Sequence, residues 1–177
     1  MIVIKQKSLR PWVSLIVLFL FSLSLQAQNY SEYNWLFGNS TSTITFNKSD
    51  ARAQLDTIQF VPFGTGGGAV ISDPITGNLL FYTDGENVYD ANHTLVPNGA
   101  GLSGDASINR AASVMPMPYN DGEYYIFTNP GGSGAEILYT VLDRNIPGNA
   151  AGGEPPLGDV DAARKNLSTG LNNPGEG

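Results

Sequence analysis

Beyond Ala27 the apolar residues of this 177-residue chain come in short runs, rich in β-branched and aromatic side chains, with turn residues between them at close spacing. No stretch there carries an apolar face recurring about every 3.6 residues over a helical length, so the pattern predicts an all-β protein. The first predicted strands, Tyr33–Phe37 and Thr43–Asn47, bracket a Gly38-Asn39 turn. Thr57–Val61 alternates, with Ile58 and Phe60 on one face. Ala69–Ser72 and Leu79–Thr83 flank Asp73-Pro74-Ile75-Thr76-Gly77-Asn78. There Pro fixes φ and Gly-Asn accepts positive φ, the chemistry of a hairpin loop. The turn dipeptide Asp84-Gly85 leads to Asn87–Asp90, with Thr94–Val96 as a short fourth strand. The same order recurs in Ala112–Met115, a proline-containing turn, Glu123–Thr128, the turn-rich Asn129–Gly134 and Glu136–Asp143. From Pro147 the pattern fades into Gly, Pro, Asn and Ala, and only Leu157–Val160 looks able to join a sheet. Residues 147–177 therefore read as a weakly structured tail or the start of a further blade.

Three of these strands look like variants of one string. Trp35-Leu36-Phe37-Gly38, Leu80-Phe81-Tyr82-Thr83 and Tyr125-Ile126-Phe127-Thr128 follow one another at 45-residue steps. A period of about 40–45 is the signature of a blade array, in which each repeat is a small antiparallel sheet. Residues 28–146 are thus expected to form a partial β-propeller of two to three four-stranded blades, joined by the Gly-rich stretches Gly64–Gly68 and Asn98–Gly104. Closed propellers have about 4–8 blades. The expectation is therefore the N-terminal part of a longer chain.

The first 27 residues read as a secretory signal peptide. Lys5, Lys7 and Arg10 precede an apolar run from Trp12 to Leu25, and Ala27 offers a small residue for cleavage. The run is shorter than the roughly 20 residues of a spanning helix, so no membrane span is expected after cleavage. All 16 acidic residues but only six of the nine basic ones lie beyond Ala27, which takes the formal charge from −7 to −10. Such a surface repels phosphate backbones and argues against nucleic acid as a partner. The chain has no cysteine, which removes disulfides, zinc thiolates and cysteine nucleophiles from consideration.

Candidate chemistry is sparse. His93 is the single histidine, and its setting, Ala91-Asn92-His93-Thr94, reads as a turn rather than a general base with a positioned partner. Gly131-Gly132-Ser133-Gly134-Ala135 misses the nucleophile-elbow pattern at its last position. Gly64-Thr65-Gly66-Gly67-Gly68 lacks the Lys-Ser/Thr of a phosphate loop. Asp84, Glu86 and Asp90 cluster within one turn and strand, and Asp73 and Asp105 could approach them at one end of a blade. Paired carboxylates can run glycoside hydrolysis, whereas Asp-Gly is also the ordinary composition of a tight hairpin. Asp84, Glu86 and Asn87 additionally offer hard oxygen ligands for a structural calcium ion, without EF-hand spacing. No other cofactor is expected.

The string from Ile71 through Asp84-Gly85 resembles a known family, together with Asn34-Trp35-Leu36-Phe37-Gly38-Asn39, Asn92-His93, Pro97-Asn98-Gly99 and Tyr124-Tyr125-Ile126-Phe127-Thr128. It is similar to the N-terminal WD40-like β-propeller region of proteins of gliding bacteria that end in a type IX secretion (type B) sorting domain. The likeness runs from about Asn34 to Asn166. It implies export to the cell surface or medium, with a role linked to gliding or adhesion. Contact with the secretion machinery would pass through a sorting domain that these residues do not include. The family supplies no catalytic residues to carry over. The reading is an exported, non-enzymatic propeller module that binds surface glycans or proteins. The alternatives are a carbohydrate-active propeller using Asp84, Glu86 and Asp90, and a structural spacer without ligand.

Overall fold

The computed structural model describes residues 29–173 other than Ile58 and Pro62; the signal-peptide expectation and the Ile58 position lie outside the described residues. The described chain is all-β, with no α-helix and no closed barrel. Its strands form three antiparallel sheets of three to five strands. The first sheet is β1 (Asn34–Leu36), β2 (Ser42–Phe46) and β3 (Ala53–Thr57) in sequence order. The second is β4 (Ala69–Ser72), β5 (Leu79–Thr83), β6 (Asn87–Asp90) and β7 (Leu95–Ala100). The third runs β8 (Ala112–Pro116), β9 (Glu123–Thr128), β10 (Glu136–Asp143) and β11 (Asp159–Val160), with β12 (Leu167–Asn172) also paired to β10.

The hairpins fold where pattern and turn chemistry agree. Glu123–Thr128 alternates half-buried and buried positions along its whole length, the period-2 signature of a strand with one covered face. Two strands depart from expectation; one is β7, which runs Leu95–Ala100 rather than Thr94–Val96 and takes in the start of the stretch expected to be the Asn98–Gly104 connection. The third strand is Ala53–Thr57 rather than Thr57–Val61, and every residue of it is exposed. Its position is set by ladder pairing to β2, with Ile44 opposite Leu55, and Leu55 stays 79% exposed. The apolar residues just beyond it serve as plugs instead. Phe60 and Phe63 pack on Leu36 and Tyr82, and the Val61 amide donates to the Tyr82 hydroxyl at 3.3 Å.

The Gly-, Pro- and Asn-rich stretch from Pro147 carries more order than its composition suggests. β11 and β12 both pair with β10, at Asp143–Leu142 and at Tyr139–Glu136 respectively, so they form one outer strand in two pieces. The break between them is a 3₁₀ turn, Ala162–Arg164, N-capped by Asp161. Arg164 pins the turn to the sheet through two 2.9 Å bonds to Glu123 and one of 2.6 Å to Asp161. The bidentate fork is the strong form of a guanidinium–carboxylate contact, and it holds both carboxyls below their usual range.

The sheets stack in layers. Leu36, Phe60, Phe63 and Tyr82 fill the space between the first and second. Ile71, Phe81, Val88 and Val96 of the second sheet meet Tyr124, Ile126, Leu142 and Val160 of the third. Each such fully buried side chain contributes about 1.5–3 kcal/mol. The second and third sheets lie with β4 beside β8 and β7 beside β11. Their connections share ends: the Gly66 amide bonds the Ala106 carbonyl, and the Asp105 amide bonds the Asn129 carbonyl. Gly66 is required there by close approach, since a Cβ would stand 1.9 Å from the Ile108 carbonyl oxygen.

The 45-residue step does not preserve facing. Leu36 points at the second sheet and Phe81 onward at the third, but Ile126 points back at Phe81. The residues matching Phe81 by direction are Tyr125 and Phe127, one position to either side. A shift of one residue turns every side chain to the opposite face, and a register irregularity at Asn87/Tyr89 lies in the chain between Phe81 and Ile126. Tyr125, Phe127 and Tyr139 consequently form an aromatic group on the outer face of the third sheet, with ring centroids 5.7–6.4 Å apart.

Candidate functional site

Two loops at one end of the stack wall a cleft. In the β4–β5 loop, Asp73 Oδ1 accepts from the Ile75 and Thr76 amides at 2.9 and 2.6 Å, closing the turn around its own carboxylate. Those amides, Thr76 foremost, hold the Asp73 carboxyl below its usual range. The β8–β9 loop is closed by the Met117 amide on the Glu123 carbonyl at 2.9 Å, and Gly122 there adopts φ +87°. Between the loops lies a cavity of 580 Å³. Its walls are apolar along β4, β5 and β8, through Leu80, Val114 and Met115, and polar at Asp73, Tyr124 and Arg144.

Arg144 follows β10 and is anchored by its own backbone, whose amide donates to the Gly122 carbonyl at 2.8 Å. Its guanidinium donates to the Leu157 carbonyl and separates the cleft from a second cavity of 470 Å³ lined by Asn92 and Asn149. Burial pulls the Arg144 pKa down, against the opposing influence of Tyr124, Asp90 and Asp73. Among the described residues it forms no ion pair within 4.0 Å. Tyr124 packs edge-on to Phe81 with centroids 5.2 Å apart, and burial raises its hydroxyl pKa.

The carboxylates singled out from sequence serve the backbone. Asp84 is buried, and its Oδ1 accepts from the Glu86 and Asn87 amides at 2.9 and 2.7 Å. Glu86 accepts from the Ala106 amide at 3.0 Å. Asp90 is fully buried and accepts from the Asn92 and Thr94 amides and from Asn149 Nδ2. β6 runs between Asp84 and Asp90, so their attachment points are on the order of 10 Å or more apart along the strand. Asp105 closes its own turn through Ser107. Asp73 stands at the opposite end of β5 from Asp84. The structure thus brings Asp73 and Asp90 into the electrostatic surroundings of Arg144 and keeps Asp84, Glu86 and Asp105 at the other end. For the calcium alternative, Asn87 directs its backbone carbonyl to Thr83 Oγ1 and the Asp84 amide. Among the described residues no three His, Cys, Asp or Glu side chains converge as a metal site.

His93 sits in the turn after β6 at φ +61°, its ring against Phe60 and Tyr82 at 6.3 and 5.8 Å between centroids. Its Nδ1 is buried without a hydrogen-bond partner. Compared with known proteins, the chain matches no family model, no curated protein and no solved structure. The site residues that sequence reading passed over are Arg144 and Tyr124. Arg144 is a lone cation after an apolar strand and Tyr124 one of two adjacent tyrosines, and neither stands in a motif.

Proposed function

We propose that this chain is an exported, non-enzymatic binding module whose three sheets are successive blades of a β-propeller, engaging glycans or proteins at a surface and serving attachment or gliding. The observation that carries the reading is the fate of the carboxylates. Asp84 and Asp90 are both spent on backbone amides and stand at opposite ends of a strand. A glycoside-cleaving pair needs two carboxyls about 5–10 Å apart across an open site. A concave feature of a size typical for ligand sites lies elsewhere, in the 580 Å³ cleft at the loop end of the stack. The like order and like direction of the second and third sheets support the blade assignment, as does the short Gly-rich passage from one sheet to the next. The excess of acidic residues favours neutral or cationic partners over phosphate-bearing ones.

The test is a screen of the purified chain against immobilised glycans and extracellular proteins, with product analysis of the same glycans in solution. Binding without cleavage is expected, unchanged in a triple Asp84→Asn, Glu86→Gln, Asp90→Asn variant that stays folded. Glycan cleavage that this variant abolishes would replace the reading with the carbohydrate-active one.

A further inference from the structure

The cleft holds two opposite charges that do not meet. Arg144 lines it from the end of β10 and Asp73 from the β4–β5 loop. Each acts on the other electrostatically, and both act on Tyr124. No ion pair within 4.0 Å joins them. The guanidinium commits one Nη to Leu157, which leaves donors on its remaining nitrogens. Asp73 commits Oδ1 to the Ile75 and Thr76 amides, and the Thr76 side chain also donates to its carboxylate, so every hydrogen bond it accepts is neutral and local and no cation meets its charge. The Tyr124 hydroxyl makes no hydrogen bond among the described residues. Asp90 acts on the guanidinium ahead of Asp73, yet neither carboxylate meets it within 4.0 Å; a partly desolvated guanidinium without a counter-ion in contact loses hydration and gains little Coulomb energy in return.

The rest of the lining decides what would suit these groups. Glu123 is already neutralised by the Arg164 fork. Glu32 and Asp121 are exposed at the rim. A ligand with a lone negative charge is repelled by Asp73 and the rim, and a lone cation meets Arg144. A ligand carrying both charges close together satisfies both walls at once.

We propose that the cleft takes the zwitterionic head of an α-amino acid with an apolar side chain. The carboxylate lies on Arg144 and the Tyr124 hydroxyl, the ammonium on Asp73, and the side chain against Leu80, Met115 and Met117. The inference rests on the binding-module reading and gives its cleft a ligand class. Thioether side chains are polarizable and adaptable, so Met115 and Met117 suit several apolar side chains and set a preference for size rather than identity.

Calorimetric titration of the full chain with L-leucine and L-methionine tests it. Saturable binding at one site is expected. N-acetyl-leucine and leucine amide each lack one charge and should bind at least about tenfold more weakly. Asp73→Asn should weaken L-leucine by a similar factor but leave N-acetyl-leucine, which has no ammonium, nearly unaffected, and Arg144→Gln should in the same way spare leucine amide, which has no carboxylate. Because Arg144 also holds Leu157, Met115→Trp is the second variant; it fills the cleft from an exposed position and should abolish binding with the fold intact by circular dichroism. Absence of L-amino acid binding overturns the proposal, and so does equal binding of the capped forms. Glucuronate binding in place of leucine overturns it too and assigns a simple anion site. If leucine fails while the glycan or protein binding of the preceding test persists, the binding-module reading stands without this ligand. If glycan cleavage appears, that reading falls on its own test.

Discussion

Ile126 and Phe127 are neighbours in β9 that face opposite ways, and truncating each one measures whether the sheets stack as described. Ile126 is fully buried between the second and third sheets, in one cluster with Phe81 and Leu142. Ile126→Ala removes three carbons at about 0.8 kcal/mol each. The cavity left between two packed layers raises the total to about 3–4 kcal/mol, inside the usual range of about 2–5. Phe127 is half-buried on the outer face and touches the rings of Tyr125 and Tyr139, at 5.8 and 6.4 Å between centroids. Losing those ring contacts is worth about 0.5–1.5 kcal/mol, and the remaining burial brings Phe127→Ala to about 1–2 kcal/mol. Against a total stability of about 5–15 kcal/mol the difference is well resolved. Urea unfolding followed by circular dichroism reads it as a shift in midpoint at constant slope. A strict 45-residue equivalence would send Ile126 away from Phe81 and Phe127 toward the second sheet. An equal or larger loss from Phe127→Ala would refute the facing described here.

Three further outcomes follow from single contacts. Burial of His93 lowers its pKa below the ordinary 6.5, so the folded state favours the neutral ring; its contribution to stability is full above about pH 6.5 and is lost as the pH falls through that value toward the lower folded one. His93→Asn, which suits the positive φ, should flatten the melting temperature between pH 5 and 7, and an unchanged profile counts against the buried ring. Gly66→Ala should cost about 1–3 kcal/mol through overpacking against the Ile108 carbonyl, read by denaturant midpoint, and a neutral result would mean that the linker is not seated on residues 106–108. Asp159 is buried and accepts from the Asn98 amide and side chain at 2.9 and 2.7 Å, joining the third sheet to β7; Asp159→Ala should cost about 1–3 kcal/mol by leaving those donors unpaired and should raise amide exchange in β7 and β11 together.

The strands legible in the sequence are those whose own residues settle the matter. Leu79–Thr83, Asn87–Asp90, Glu123–Thr128 and Glu136–Asp143 have the predicted bounds because short strand-forming runs meet turn residues at both ends, such as Pro-x-x-Gly before Leu79, Asp-Gly before Asn87 and Glu123, and Asn92-His93 after Asp90. β3 and β12 were not legible in this way. Ala53–Thr57 and Leu167–Asn172 have little apolar alternation, and they exist because β2 and β10 offer unpaired ladder edges to fill. Phe60 looked like a strand residue because a plug and a strand both use isolated aromatics.

Facing and site were hidden for a related reason. Leu80-Phe81-Tyr82 is apolar on both sides, as a strand between two layers must be, so the recurrence of such strings marks layers without saying which way any residue turns. Asp84 was legible as a turn residue from Asp-Gly alone, and its two amide bonds follow from that role. The cleft is different in kind. Asp73, Tyr124 and Arg144 belong to the second sheet, the third sheet and the segment after it, and each is ordinary in its own stretch of chain. Stacking alone brings them to one cavity, so in a layered array the chemistry gathers between repeats rather than within one. A search that scores motifs repeat by repeat is blind to such a site, whereas a search for unpaired charge at the shared end of successive hairpins would find it.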